Sequence, residues 1–282
     1  MAEAENNFFI EEFAPGVLIS YRLKRKLYEG HSPHQRISVA EIDGLGKSIF
    51  LNGILQSSEI DEQMYHEILV HPAFHFHPNP EKVLIVGGGE GATLREVLKY
   101  PVRKVVMVEI DGLVVEVSTK YLPEWSRGSF KDPRVELILD DARKYVENSG
   151  EKFDLIISDL TDPFQDSLSA ASFSREFYGL CRNNILKEDG IIAIQAGSID
   201  PYYKKFFLEV EKNVRESFEF VTGYGSYIFS FFSLWGFLLA SNKDYFSRGI
   251  NKNKNVKSDF FQPELFECFS KQLQIYLNVG VK

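Results

Sequence analysis

Cysteine is scarce in this chain. Two thiols, Cys181 and Cys268, stand among 282 residues, far apart and at no metal-binding or redox spacing, which argues against a disulfide scaffold and a cysteine-ligated metal centre. Basic residues are also in deficit: 32 Lys and Arg face 40 Asp and Glu, a net charge of −8. No basic patch in the sequence offsets that balance, so a nucleic-acid partner is disfavoured and cationic ligands are favoured. Long apolar runs are missing too. Residues 229–240, the most apolar stretch, are too short to span a bilayer, and residues 1–12 are acidic where a signal peptide would be basic. The expected location is the cytoplasm, with no membrane partner. No internal repeat is present.

What the chain does have is 44% hydrophobic residues, enough for one large domain and a smaller appendage. Residues 17–21, 35–42 and 47–51 read as strands, with Asp43-Gly44 and Asn52-Gly53 as hairpin turns. A small antiparallel N-terminal β domain over residues 1–58 follows. Residues 59–76 carry helical spacing with Ser57 or Ser58 as N-cap, and Pro78-Asn79-Pro80 closes that helix. Short Val/Ile/Leu runs then alternate with helical patterns. Strands are expected at 82–86, 104–109, 134–139, 153–159 and 190–195, with helices from Ala92, Leu113 and Ala142 and near Phe173. That alternation implies an α/β fold with a doubly wound, mostly parallel sheet over residues 59–245. Residues 218–223 and 236–240 suggest an antiparallel edge pair. Residues 246–282 read as a linker, Asn- and Lys-rich and solvated over 247–257, followed by a tail helix at 263–277.

The strand ending at Val86 runs into Gly87-Gly88-Gly89-Glu90-Gly91 and then a helix, a place where glycine backbone approaches a ligand closely. Glu109 ends the next strand, where an acid can take both ribose hydroxyls of a nucleoside. Asp141 follows the third strand, placed to accept from an adenine amino group, and Asp159 ends the fourth. Ligands of open α/β sheets bind outside the carboxyl ends of the strands, so these acids are expected to converge on one crevice. Any one of them also fits a helix N-cap. No Lys or Arg accompanies the loop, no Gly-Lys-Ser/Thr ending follows it, and Glu90 would repel a pyrophosphate. An adenosylmethionine-type ligand, which has no phosphate, fits better.

Gln35-Arg36-Ile37-Ser38-Val39, Asp61-Glu62-Gln63-Met64-Tyr65-His66-Glu67, His71-Pro72, the run from Val83 to Leu98, Val108-Glu109-Ile110-Asp111 and Asp159-Leu160-Thr161-Asp162-Pro163 together resemble the spermidine synthase family of polyamine aminopropyltransferases. The resemblance extends from about residue 17 to 240. It implies a small N-terminal β domain, a methyltransferase-like α/β domain, a homodimer or homotetramer, and decarboxylated S-adenosylmethionine as co-substrate without a prosthetic group or metal. By resemblance Gln35, Gly87, Gly89, Glu109, Asp141 and Ala142 hold the nucleoside; Ala142 stands where many members have glycine. Glu90 is implied for the aminopropyl ammonium, and His66, Asp162 and Gln195 for the acceptor amine. Asp159 is the implied base, with Tyr65 beside the reacting amine. The chemistry agrees. An amine of pKa about 10.4 is protonated in water, so its attack on carbon needs a carboxylate that takes the proton.

The chain departs from the family pattern in four places. Glu90 replaces the commoner aspartate, Leu160-Thr161 replaces two serines, and Gln165-Asp166 stands in place of a glycine-proline pair. Glu90-Gly91-Ala92, Gln195-Ala196-Gly197 and Trp235-Gly236-Phe237 are closer to the thermospermine synthase branch, which accepts spermidine. The fourth is residues 227–232, an aromatic run where spermidine synthases place a tyrosine; it either lines a longer acceptor channel or packs as a buried strand. His71, His75 and His77 complete no known ligand set and read as structural. Expected products are spermidine or aminopropylagmatine from putrescine or agmatine, or thermospermine or spermine from spermidine. A methyltransferase on the same fold and a non-catalytic polyamine-binding protein are the alternatives.

Overall fold

The computed structural model describes residues 7–14, 16–162 and 170–279. The N-terminal part is an antiparallel meander of five strands in chain order, β1 (Phe8–Ala14), β2 (Val17–His31), β3 (Arg36–Ile42), β4 (Gly46–Leu51) and β5 (Ile54–Ser58). Asn52 and Gly53 both take positive φ, the conformation a two-residue hairpin turn requires. The sequence reading missed β1 and the second half of β2. Residues 22–30 carry charges on the exposed face, and two register shifts against β3 break their alternation, so a period-two pattern fades there.

Helix α1 (Glu62–Phe76) starts later than the sequence suggested, with Asp61 at the N-cap, because Ser57 and Ser58 are spent in β5. Nearly every side chain of α1 is buried, so it is a core helix. Pro72 within it cannot donate to the carbonyl of Ile68. The buried Tyr224 hydroxyl takes that carbonyl at 3.1 Å.

The main domain follows as β6 (Lys82–Gly87), α2 (Ala92–Leu98), β7 (Lys104–Glu109), α3 (Gly112–Tyr121), α4 (Pro123–Ser126), β8 (Val135–Leu139), α5 (Ala142–Asn148), β9 (Phe153–Asp159), α6 (Arg175–Leu180), β10 (Leu186–Ser198), α7 (Lys204–Arg215), β11 (Phe220–Ile228), β12 (Ser233–Ser241) and α8 (Phe266–Leu277). The sheet order is β11-β12-β10-β9-β6-β7-β8. Five strands are parallel, while β12 and the edge strand β11 are antiparallel. Separate apolar clusters cover the two faces, which is why the central strands are apolar throughout. Chain order reverses between β6 and β9, where Gly87 pairs with Asp159. That is the topological switch point at which such sheets bind ligands.

Residues 251–261 are not the solvated linker expected for this stretch. They form a strap along α1: Lys254 Nζ donates to the carbonyls of Phe74 and His77, each at 2.6 Å, and Asn251 O meets His75 Nδ1 at 2.7 Å. Glu67 accepts from the backbone N–H groups of Asp259, Phe260 and Phe261 and from Ser258 Oγ. The exposed Asn and Lys side chains gave the segment its linker-like composition, whereas main-chain groups make many of its bonds. Gln165-Asp166 lies outside the described residues. Among the described residues no helix is long and apolar enough to cross a membrane.

Candidate active site

The glycine loop leaves β6 with Gly87 at φ 82°, and a Cβ there would lie 2.3 Å from the carbonyl oxygen of Asp159. Only glycine lets the loop pass that close to the end of β9. Gly88 N donates to the same carbonyl at 3.0 Å, and at Gly89 a Cβ would come 3.0 Å from Glu109 Oε2. The loop, β7 and β9 thus meet at the mouth of a cavity of about 250 Å³.

The cavity is lined by Gln35, Gly87, Gly89, Glu109, Asp141 and Ala142, the residues implied for the nucleoside, and by Tyr65, Glu90, Asp159, Asp162 and Gln195, those implied for the transfer and the acceptor. Glu109 is buried, and burial pushes its carboxyl up to about 7 although Asp111 N donates to it at 2.8 Å. Asp141 is also the N-cap of α5, accepting from Arg143 N at 2.7 Å through Oδ1. Its cap and cavity positions coincide. Gln35 Nε2 donates to Asp111 Oδ2 at 2.9 Å, so Asp111 fixes the amide while capping α3.

Asp159 has both oxygens engaged. Tyr65 Oη donates to Oδ1 at 3.1 Å and Thr93 Oγ1 donates to Oδ2. Burial and then the neighbouring Glu90 charge raise its carboxyl above the ordinary range. Burial likewise takes Asp162 up to about 7, opposed by the bond from Gln195 Nε2 at 2.9 Å. Gln195 Oε1 in turn accepts from Trp235 Nε1 at 3.1 Å.

His66, which the resemblance implied for the acceptor amine, stands instead behind Glu90, fully buried and outside the cavity lining. Its Nε2 is 3.0 Å from Glu90 Oε1, and its Nδ1 bonds the Glu62 carbonyl at 2.5 Å with Glu62 Oε2 at 3.3 Å. Burial alone would lower the imidazole pKa, but the bonds to Glu62 and Glu90 outweigh it and hold it up to about 10. Arg95 then clamps Glu62 with two bonds of 2.9 and 3.0 Å. Charge therefore alternates from Arg95 through Glu62 and His66 to Glu90, and each ion has its partner. His71 bonds Tyr100 and faces Glu96, apart from His75, which bonds the strap.

Sequence reasoning gave no role to Thr93, Trp235 or Arg95, nor to the cavity-lining Glu11 and Glu12. Thr93 lies in the first turn of α2, where its hydroxyl reaches Asp159 at the end of β9. Glu11 and Glu12 belong to the strand that was not anticipated. Of the aromatic run, Phe231 lines the cavity while Phe229 and Phe232 are exposed, at 56% and 50%; Tyr227 and Ile228 end β11, and residues 229–232 form a turn where a continuous buried strand was the alternative.

Two family models cover the chain: a spermine/spermidine synthase domain matches residues 62–250 and a spermidine synthase tetramerisation domain matches residues 7–59. The chain is 44% identical over 242 residues to polyamine aminopropyltransferase 1 of Hyperthermus butylicus, covering 84% of this chain and 82% of the relative. It is 38% identical to the polyamine aminopropyltransferase of Thermococcus onnurineus over 93% of each. A solved spermidine synthase in complex with the transition-state analogue AdoDATO superposes with a TM-score of 0.87 at 34% identity, covering 96% of this chain and 94% of that one. Spermidine synthase from Thermotoga maritima gives a TM-score of 0.85 at the same identity and coverage.

Proposed function

The chain belongs to the spermine/spermidine synthase family, and on that premise we propose how its cavity divides the labour of aminopropyl transfer. The reaction moves the aminopropyl group of decarboxylated S-adenosylmethionine onto a polyamine and releases 5'-methylthioadenosine, with no prosthetic group. Gln35, Glu109 and Asp141 hold the nucleoside, with Gly87, Gly89 and Ala142 giving it room. Glu90 takes the aminopropyl ammonium, and His66 fixes Glu90 from behind. Asp162 and Gln195 hold the acceptor.

Asp159 receives the proton of the attacking amine. The nitrogen lone pair then forms a bond to the carbon beside the sulfonium, the carbon–sulfur bond breaks, and sulfur keeps that electron pair as a neutral thioether. Tyr65 steadies the carboxylate. The donor brings its own leaving group, so the protein's task is to position two cations against fixed carboxylates. The observation that carries this reading is the placement of Glu90 and Asp159 on one cavity wall, with Tyr65 bonded to Asp159.

For the acceptor we favour spermidine, as in the thermospermine branch. The same cavity is also lined by Glu11, Glu12 and Gln56 of the N-terminal sheet, which supplies further anions for ammonium groups distant from the reacting one. The tetramerisation-domain match over that sheet supports a homotetramer, and we place the enzyme in the cytoplasm. The test is incubation of purified protein with decarboxylated adenosylmethionine and putrescine, agmatine, spermidine or spermine in turn. Methylthioadenosine is expected fastest with spermidine. Fastest release with putrescine or agmatine overturns the acceptor assignment, and no release with any amine overturns the transfer reading. A methyltransferase would instead bind the carboxylated donor more tightly, which calorimetry with both donors decides.

A further inference from the structure

Asp61 occupies the N-cap of α1 and yet makes no capping bond. An aspartate there ordinarily accepts from the helix's first free N–H groups. Here Oδ2 accepts instead from Ser230 N at 2.7 Å, in the turn between β11 and β12, and the side chain is only 3% exposed. The turn needs such an anchor. Phe232 holds φ at 51°, a left-handed conformation unfavourable for a bulky residue, with Phe232 N bonded to the carbonyl of Phe229 at 3.1 Å.

The geometry of the turn sends its aromatic side chains in different directions. Phe229 and Phe232 face solvent, while Phe231 is turned inward against Tyr65, with ring centroids 5.9 Å apart and planes at 72°, and over Trp235 at 4.7 Å. Tyr65 is the donor to Asp159, and Trp235 is the donor to the amide of Gln195 that holds Asp162. Phe231 therefore touches both rings that steady the two acceptor-side carboxylates. It also lines the cavity, where an aromatic ring can meet an alkylammonium.

We propose that Phe231 is a specificity-determining wall for the acceptor and that Asp61 is its positioning residue, holding the turn through Ser230 so that the ring faces inward. The proposal rests on the aminopropyl-transfer reading of the cavity. Asp61 acts on no reacting atom; its carboxylate replaces the turn stability that a glycine at position 232 would have given.

Four variants test it, each assayed with the best acceptor of the wild-type enzyme. Phe231→Ala is expected to raise the acceptor KM about tenfold, the effect of losing one desolvated cation–aromatic contact, with donor KM within about twofold of wild type. Asp61→Gly removes the carboxylate and keeps a residue tolerated at an N-cap; it is expected to reproduce that split. Asp61→Asn keeps an acceptor for Ser230 N–H and is expected to behave as wild type. In the double variant Phe231→Ala with Asp61→Gly, the acceptor KM is expected to match Phe231→Ala alone, since one residue acts through the other. An unchanged acceptor KM in Phe231→Ala, additive effects in the double variant, or equal rises in donor and acceptor KM overturn it. A wild-type enzyme with no turnover on any amine overturns the underlying reading instead.

Discussion

His66 Nε2 stands 3.0 Å from Glu90 Oε1, and its other nitrogen is held by Glu62. The imidazolium thereby fixes one carboxylate against the cavity while being screened from it. His66→Gln removes the charge and is expected to weaken binding of decarboxylated adenosylmethionine by about ten- to a hundredfold, the range of a charge-assisted hydrogen bond. Acceptor KM should change much less. Calorimetric titration with the donor checks the first, and steady-state rates check the second; equal losses on both sides would show that His66 serves the whole wall.

Asp159→Asn keeps the shape of the base and removes its proton affinity. Turnover is expected to fall by about a hundredfold to ten-thousandfold, with methylthioadenosine affinity retained because Glu109, Asp141 and Gln35 are untouched. A variant that loses methylthioadenosine binding in the same proportion would assign Asp159 to nucleoside binding.

Asp162 connects pH to both rate and stability. With its carboxyl raised to about 7, the anion proposed to attract the acceptor forms as pH rises through 7, so acceptor kcat/KM should climb between pH 6 and 8. Stability runs the other way. A carboxyl raised on folding contributes stability that is complete below its unfolded value near 4 and is lost as pH rises through the folded value. Asp162→Asn has no such loss. Between pH 5 and 8 the wild type should fall behind this variant by about 2 kcal/mol, roughly half of what the full shift carries, because the cavity leaves the carboxylate partly open to water. Chemical denaturation of both proteins at the two pH values measures it. A gap that stays constant with pH would be incompatible with the raised carboxyl.

Glu67 is the fastening point of the strap. Glu67→Ala strands the backbone N–H groups of Asp259 and Phe260, while Phe261 N and the Ser258 hydroxyl keep their bonds to Ser258 Oγ and the Phe261 carbonyl, and should cost about 3 kcal/mol. Amide exchange at Asp259, Phe260 and Phe261 should accelerate before that of α1. Exchange that rises uniformly along the chain would show general destabilisation and no local release.

The parallel sheet was legible because strands buried on both faces are nearly unbroken Val, Ile and Leu. Glu109, Asp141 and Asp159 were legible for a related reason: polar residues that end such runs have the cavity to face. What escaped is carried by the main chain or by distance. The strap's N–H groups on Glu67 leave no trace in side-chain composition. The turn at residues 229–232 has a phenylalanine where a turn signal calls for glycine. Thr93 and Asp159 are joined only because β6 and β9 are neighbours. Asp61 looked like part of a motif, and its partner lies across the fold in the β11–β12 turn.

The bond from Gly88 N to the carbonyl of Asp159 fastens the glycine loop and the proposed base to a single peptide contact. Both reference points of the chemistry thus travel together when the domain breathes. On the proposed reading the acceptor side adds to Asp162 and Gln195 parts that lie elsewhere in the fold, the turn bearing Phe231 and the strand bearing Glu11 and Glu12. On that reading, substitutions in the turn or the strand are expected to alter which amine is admitted without re-registering sulfonium and carboxylate, so that acceptor choice can diverge while the reaction stays the same.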